Sequence, residues 1–153
     1  MTGKTSADNP LASLVSPLAA VGPLALRVGF GVTFVFYGWQ KLTGLTGFAN
    51  MMLGGNVFLA SLVTIAELSG GLGMALGLAL LLMGRDRLGD LVTRLAGLAI
   101  IPVMLGAIFL VHWPKGFHFM PMDGTPIGGF SYQFMLLLVA VYFVAKGNTD
   151  LKA

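Results

Sequence analysis

Four long apolar runs divide the chain, separated by short stretches where charge, glycine and proline collect. The first spans roughly Leu18 to Trp39 and is interrupted by Pro23 and Arg27. The second spans roughly Val57 to Met83 and holds Glu67. The third spans roughly Leu91 to Trp113, with Arg94 near its start and Pro102 near its middle. The fourth, roughly Phe130 to Ala145, is the shortest. A helix needs about 20 apolar residues to cross about 30 Å of hydrocarbon. The runs are continuous, whereas barrel strands alternate apolar and polar positions, so backbone polar groups must be satisfied inside helices. The pattern predicts an all-α protein: four transmembrane helices in an antiparallel, up-and-down bundle.

The flanks are polar. Residues 1–16 read as a flexible tail rather than a cleavable leader, residues 17–146 as the transmembrane domain, and residues 147–153 as a short tail. Composition agrees. Of 153 residues, 56% are hydrophobic and 10% charged, against roughly a quarter charged in a soluble domain. So few charges cannot cover a water-facing surface.

Lys4, Arg85, Arg87, Arg94, Lys146 and Lys152 fall on one side of the predicted topology, and Lys41 and Lys115 on the other. The positive-inside rule then places both termini in the cytoplasm. Trp39, Trp113, Tyr37 and Tyr132 gather at the outer interface, as an aromatic belt would. The net charge of +3 comes from cations scattered at span ends, with no basic stripe, which excludes a nucleic-acid partner. The partner that composition demands is the lipid bilayer. There is no cysteine, so disulfides, thiolate metal sites and cysteine nucleophiles are excluded. Glycines in the second run, including Gly73 and Gly77 four apart, suit close helix packing.

Arg27 and Glu67 are the residues that composition does not explain. A charge facing lipid at mid-bilayer costs at least about 2.5–3.5 kcal/mol. Counted from the outer ends of their spans, Arg27 lies roughly 18 Å deep and Glu67 roughly 15 Å deep. Similar depth on neighbouring helices predicts a buried ion pair. Ala60, Thr64, Gly70 and Gly71 share the face of Glu67 and leave it a notch. Such a pair either fixes helix register or borders a polar pocket.

At the outer end, Tyr37, Trp39, Gln40 and Lys41 close the first span. His112, Trp113, Lys115 and His118 follow the third, and Tyr132 and Gln133 begin the fourth. Aromatic rings beside His, Gln and Lys suit a flat, carbonyl-bearing ring such as a quinone; the competing reading is an interfacial belt with a snorkelling lysine. The candidate binding residues are Arg27, Tyr37, Gln40, Lys41, Glu67 and His112. His118-Phe119-Met120-Pro121-Met122 offers imidazole and thioethers, a soft set that suits copper. Its generic spacing favours loop packing, and no metal site is predicted.

At these residues the chain resembles the DoxX-like membrane proteins. The resemblance covers about Leu24 to Lys146. It rests on Leu26-Arg27 with Gly29 and Gly31, then Tyr37-Gly38-Trp39-Gln40-Lys41-Leu42 and Gly47-Phe48. It continues through Glu67-Leu68-Ser69-Gly70-Gly71, Met104-Leu105-Gly106-Ala107-Ile108, Val111-His112 and Gly116-Phe117. The resemblance implies a four-helix protein of the bacterial inner membrane. Similar members include a small subunit of a thiosulfate:quinone oxidoreductase; others are linked to complexes that handle oxidative or thiol stress. The expected function is a membrane subunit of a redox complex, contacting exchangeable quinone near Arg27, Glu67 and His112. Another membrane or peripheral protein would supply the redox centre, and a homo-oligomer is compatible. With two histidines poorly placed for bis-His ligation, no haem is expected. The alternative is a non-catalytic anchoring subunit, suited by the glycine-faced helices; solute transport is a third reading, for which four helices leave little room.

Overall fold

The computed structural model describes residues 21–121, 124 and 127–151. The tail expected over residues 1–16 lies outside them. Among the described residues every regular element is helical. Helix α1 is Val21–Thr43, α2 Leu45–Met52, α3 Val57–Leu82, α4 Asp86–Gly106 and α5 Ser131–Lys146. Helix α4 continues through a π-helical turn, Ala107–His112, and a 3-10 turn, Trp113–Lys115. A 3-10 turn, Thr149–Leu151, comes after α5.

Among the described residues three helices are long and apolar enough to cross a membrane: Val21–Thr43, Val57–Leu82 and the continuous Asp86–Lys115. Helix α5 is apolar but has 16 residues, about 24 Å of rise against about 30 Å of hydrocarbon. The short α2 was not among the expected elements. Its apolar residues Leu45, Phe48, Ala49 and Met52 recur at helical spacing, and Ala49 is its buried contact. Gly54 and Gly55 then turn the chain at positive φ, 59° and 84°, which side chains resist. Asn56 caps α3, its side chain accepting from the Leu59 amide at 2.9 Å.

Helix α3 is the centre of the bundle, packed along α1 on one flank and α4 on the other, and α4 packs along α5. Glycine makes this possible. A methyl on Gly71 would lie 2.6 Å from the Val35 amide nitrogen of α1, and one on Gly73 2.7 Å from Ala96 Cβ of α4. Gly70 and Gly77 also face α4. The glycine faces of α3 are therefore used within the chain.

Helices α1 and α5 barely touch through their backbones. Side chains fill the space between them: Phe30 and Phe143 meet edge-on at 5.4 Å, and Tyr37 and Tyr132 at 6.4 Å. Phe34, Met74, Ile100 and Phe143 are fully buried there.

The expected Arg27–Glu67 ion pair is absent, and each residue has other partners. Arg27 is buried and donates to Thr93 Oγ1 at 2.8 Å, Asn148 Oδ1 at 2.6 Å and the carbonyls of Met74 and Gly147 at 3.3 Å. Glu67 accepts from Lys41. Helix register accounts for the difference. Equal depth in the two spans requires Trp39 and Val57 to be level. Yet Gly38 of α1 packs on Leu68 of α3, and Gly31 on Gly71 and Met74. Glu67 therefore lies opposite the C-terminal part of α1, and Arg27 about three helical turns away along the bundle.

The end of the bundle that carries Asn148 is closed by a polar network around Arg27. Asn148, two residues past α5, is fully buried. Its backbone N–H donates to Asp90 Oδ1 at 2.7 Å and its amide to the Gly77 carbonyl at 3.3 Å. Arg94 pairs with Asp90 at 2.7 Å and donates to the carbonyls of Val144 and Ala145, at 2.6 and 2.8 Å. Those last-turn carbonyls have no intrahelical partner.

Candidate functional site

At the end of the bundle that carries Lys41 and His112, a cavity of about 660 Å³ lies among α1, α3, α4 and α5, well within the range of small-molecule sites. Helix α1 contributes Phe34, Tyr37, Gln40 and Lys41; α2 contributes Phe48, Met51 and Met52; α3 contributes Val63 and Glu67. The far wall runs from Pro102 through the π turn to His112, and Tyr132, Gln133 and Leu136 of α5 complete it.

Lys41 and Glu67 form one edge of the cavity. Lys41 Nζ donates to both carboxylate oxygens of Glu67, at 2.9 and 2.6 Å. The Glu67 side chain is 4% exposed and that of Lys41 19%. The ammonium also lies 5.4 Å from the Tyr37 ring centre and 5.1 Å from that of Phe48, within reach of cation–π attraction. Ala60, Thr64, Gly70 and Gly71 are buried as Glu67 is, but Gly70 packs against Ile100 and Ala96 of α4 and Gly71 against Val35 and Gly31 of α1, so the two glycines seat neighbouring helices rather than leave the expected notch. Because the two charges neutralise each other, the pair gives the cavity polarity without net charge.

The opposite edge depends on the π turn. Pro102 has no N–H to donate within α4, and five residues later the helix widens. One extra residue in the turn rotates the rest of the helix by about 100° relative to an unbroken α-helix. Val111 and His112 thereby line the cavity. His112 Nδ1 sits 2.8 Å from the Gly128 carbonyl. A carbonyl only accepts, so Nδ1 carries the proton, and in the neutral ring Nε2 is the acceptor. The Gln133 amide N–H donates to it at 3.1 Å. Gln133 Oε1 is then left buried with no hydrogen-bond partner among the described residues.

A second cavity of about 330 Å³ lies beyond this edge, lined by Phe119, Gly128 and Gly129. It shares Tyr37, His112, Tyr132 and Gln133 with the first. Those four side chains form a polar partition between the bundle interior and the loop before α5.

Of the six candidate binding residues, Tyr37, Gln40, Lys41, Glu67 and His112 line one cavity, and Arg27 belongs to the network at the other end. Trp39 and Trp113 point outward, 59% and 56% exposed, as belt residues do. Tyr37 and Tyr132 turn inward instead. The role of α2 in walling the site was not expected from the sequence. His118 Nδ1 contacts the Met120 carbonyl at 2.7 Å, a local turn, and Met122 lies outside the described residues. Among the described residues no group of three or more His, Cys, Asp or Glu is placed to hold a metal.

The family model described as DoxX matches residues 22–84. That stretch spans α1, α2 and α3 and includes Tyr37, Gln40, Lys41 and Glu67. No curated protein and no solved structure gave a significant match.

Proposed function

We propose that this DoxX-like membrane protein binds a membrane quinone in the cavity between Lys41–Glu67 and His112–Gln133, as a subunit of a redox-linked assembly. The observation that carries the reading is the gathering of hydrogen-bonding groups around an apolar, uncharged cavity among membrane-spanning helices. A quinone ring is flat, uncharged and apolar on its faces, with carbonyl oxygens at opposite ends. Tyr37, Tyr132 and Phe34 offer ring faces and edges, and Gln40, Lys41 and Gln133 offer donors. An anionic headgroup suits the cavity less well, because Glu67 neutralises Lys41.

With no cysteine the chain cannot itself perform dithiol exchange. The electrons therefore pass to or from a partner protein, and the chain supplies the lipid-side ring site. In this reading α5 is a fourth, short span, thinning the bilayer locally or drawing flanking residues inward. Both termini are then cytoplasmic by the distribution of Lys and Arg, and the likeness to DoxX suggests a bacterial inner membrane.

The test is quinone extraction from the purified protein, followed by titration with a benzoquinone. Bound quinone in the native chain, weakened by His112→Ala and by Glu67→Gln, is the expected result. No quinone, and no effect of either substitution on binding, overturns the proposal.

A further inference from the structure

The cavity wall is incomplete on one side. Met51 of α2 and Leu110 of the π turn both line the cavity. Both are also highly accessible, 72% and 71% exposed. Helix α2 packs on α3 and α1, while close contacts between it and the π turn are sparse. Gly47 lines the same side, and a Cβ there would meet nothing within 4 Å. The cavity therefore has a mouth between α2 and the π turn.

The depth of that mouth decides what it faces. Leu110 lies five residues before the end of the apolar Asp86–Lys115 helix, or roughly 7 Å below it. Outward-facing Trp113 is closer to that end, at the level where aromatic belts meet headgroups. A mouth below the belt opens into hydrocarbon. The polar groups are better enclosed than the rim: Lys41 and Glu67 have side chains 19% and 4% exposed, whereas Met51 and Leu110 at the rim are thioether and aliphatic.

We infer that this mouth passes an apolar tail, so that the occupant is an uncharged ring compound carrying a long hydrocarbon chain. This rests on the quinone reading for the ring and adds the tail and its route. The ring lies between Lys41–Glu67 and His112, and the chain leaves over Met51 and Leu110 into the bilayer. Access is sideways from lipid, not down the bundle axis.

The natural absence of cysteine makes the test clean. Single-cysteine variants Met51→Cys and Leu110→Cys are prepared in phosphatidylcholine nanodiscs, with Leu72→Cys, exposed on α3 away from the cavity, as control. With a nitroxide label, positions 51 and 110 are expected to collide more with oxygen than with a water-soluble nickel chelate. The reverse preference at both positions overturns the lipid-facing mouth, whatever the ligand.

With a bulky pyrene maleimide at 51 or 110, affinity for decylubiquinone is expected to fall about tenfold or more. Affinity for the same dimethoxy-methyl benzoquinone ring without its tail is expected to fall several-fold less, and the label at position 72 affects neither. Unchanged decylubiquinone affinity, or equal loss for both compounds, overturns the tail route while leaving the ring site standing. If the unlabelled chain binds neither compound, the quinone reading fails and the tail assignment fails with it.

Discussion

Arg27 and Asn148 meet at 2.6 Å, guanidinium to side-chain carbonyl, and join α1 to the residues just past α5. The Arg27 charge is spread over Asn148, Thr93 and two carbonyls, with the Phe143 ring 5.4 Å away and the Asp90 carboxylate acting on it electrostatically. The two helices with little backbone contact are thus held together, near the C-terminal end of α5, by one fork of hydrogen bonds.

Asn148→Ala removes the shortest of those bonds and the Asn148 amide that reaches Gly77. Hydrogen bonds to charged groups contribute about 1.5–3 kcal/mol each, so a loss of about 2–3 kcal/mol is expected on unfolding in detergent micelles. Arg27→Lys should not recover stability, because an ammonium cannot reproduce the planar fork. Equal stability of Arg27→Lys and the native chain would refute this role. Quinone affinity should change little in Asn148→Ala, since neither residue lines the cavity.

The Lys41–Glu67 pair calls for a different experiment. Removing one partner strands a buried charge, at a cost of about 3–5 kcal/mol, whereas replacing both with apolar residues is often close to neutral. Glu67→Leu alone is therefore expected to destabilise strongly, and Lys41→Met with Glu67→Leu to recover most of the loss. Ligand binding should not recover, because the polar edge of the cavity is gone. Recovery of both properties would show that the pair serves packing alone.

Much of this was legible in the chain, for physical reasons. Long apolar runs can satisfy their backbone in lipid only as helices, so α1, α3 and α4 followed directly from the pattern. The outer polar cluster was legible because antiparallel helices return their ends to the same side. The partner of Arg27 was not. Hydropathy gives the approximate ends of a span but not the register between two spans, and here glycine contacts such as Gly38 on Leu68 set that register. Asn148 was hidden for a related reason: nothing local marks a polar residue beyond a helix as buried. Helix α2 left a signal in the spacing of Leu45, Phe48, Ala49 and Met52, but a run of eight residues is easily read as loop.

Two glycines separate close packing from mere flexibility. A methyl at Gly71 would press on the Val35 amide and the Gly31 carbonyl, and backbone cannot move aside cheaply. Gly71→Ala is expected to cost about 1–3 kcal/mol through overpacking. Gly29 lies in α1 with nothing within 4 Å of its Cβ position. Gly29→Ala is expected to gain about 0.4–1 kcal/mol by reducing the freedom of the unfolded chain. Paired unfolding measurements in the same detergent decide it; equal effects would remove the case that α3 packs through Gly71.

The hydrogen-bond chain from Gly128 through His112 to Gln133 fixes a tautomer, and that is directly observable. Because the Gly128 carbonyl accepts from Nδ1, nitrogen-15 spectra of neutral His112 should show the proton on Nδ1, with Nε2 unprotonated. Gln133→Met removes the donor to Nε2 but leaves Gly128 in place, so the tautomer should persist while Nε2 becomes free. It also removes the unpartnered Gln133 oxygen, a buried acceptor whose desolvation costs about 1–3 kcal/mol. The variant is therefore expected to be as stable as the native chain or slightly more so, yet to bind a benzoquinone more weakly. A protonated Nε2 in the native spectrum would overturn the assignment. Unchanged affinity in Gln133→Met would remove Gln133 from the site and leave the polar partition to Tyr37, Tyr132 and His112.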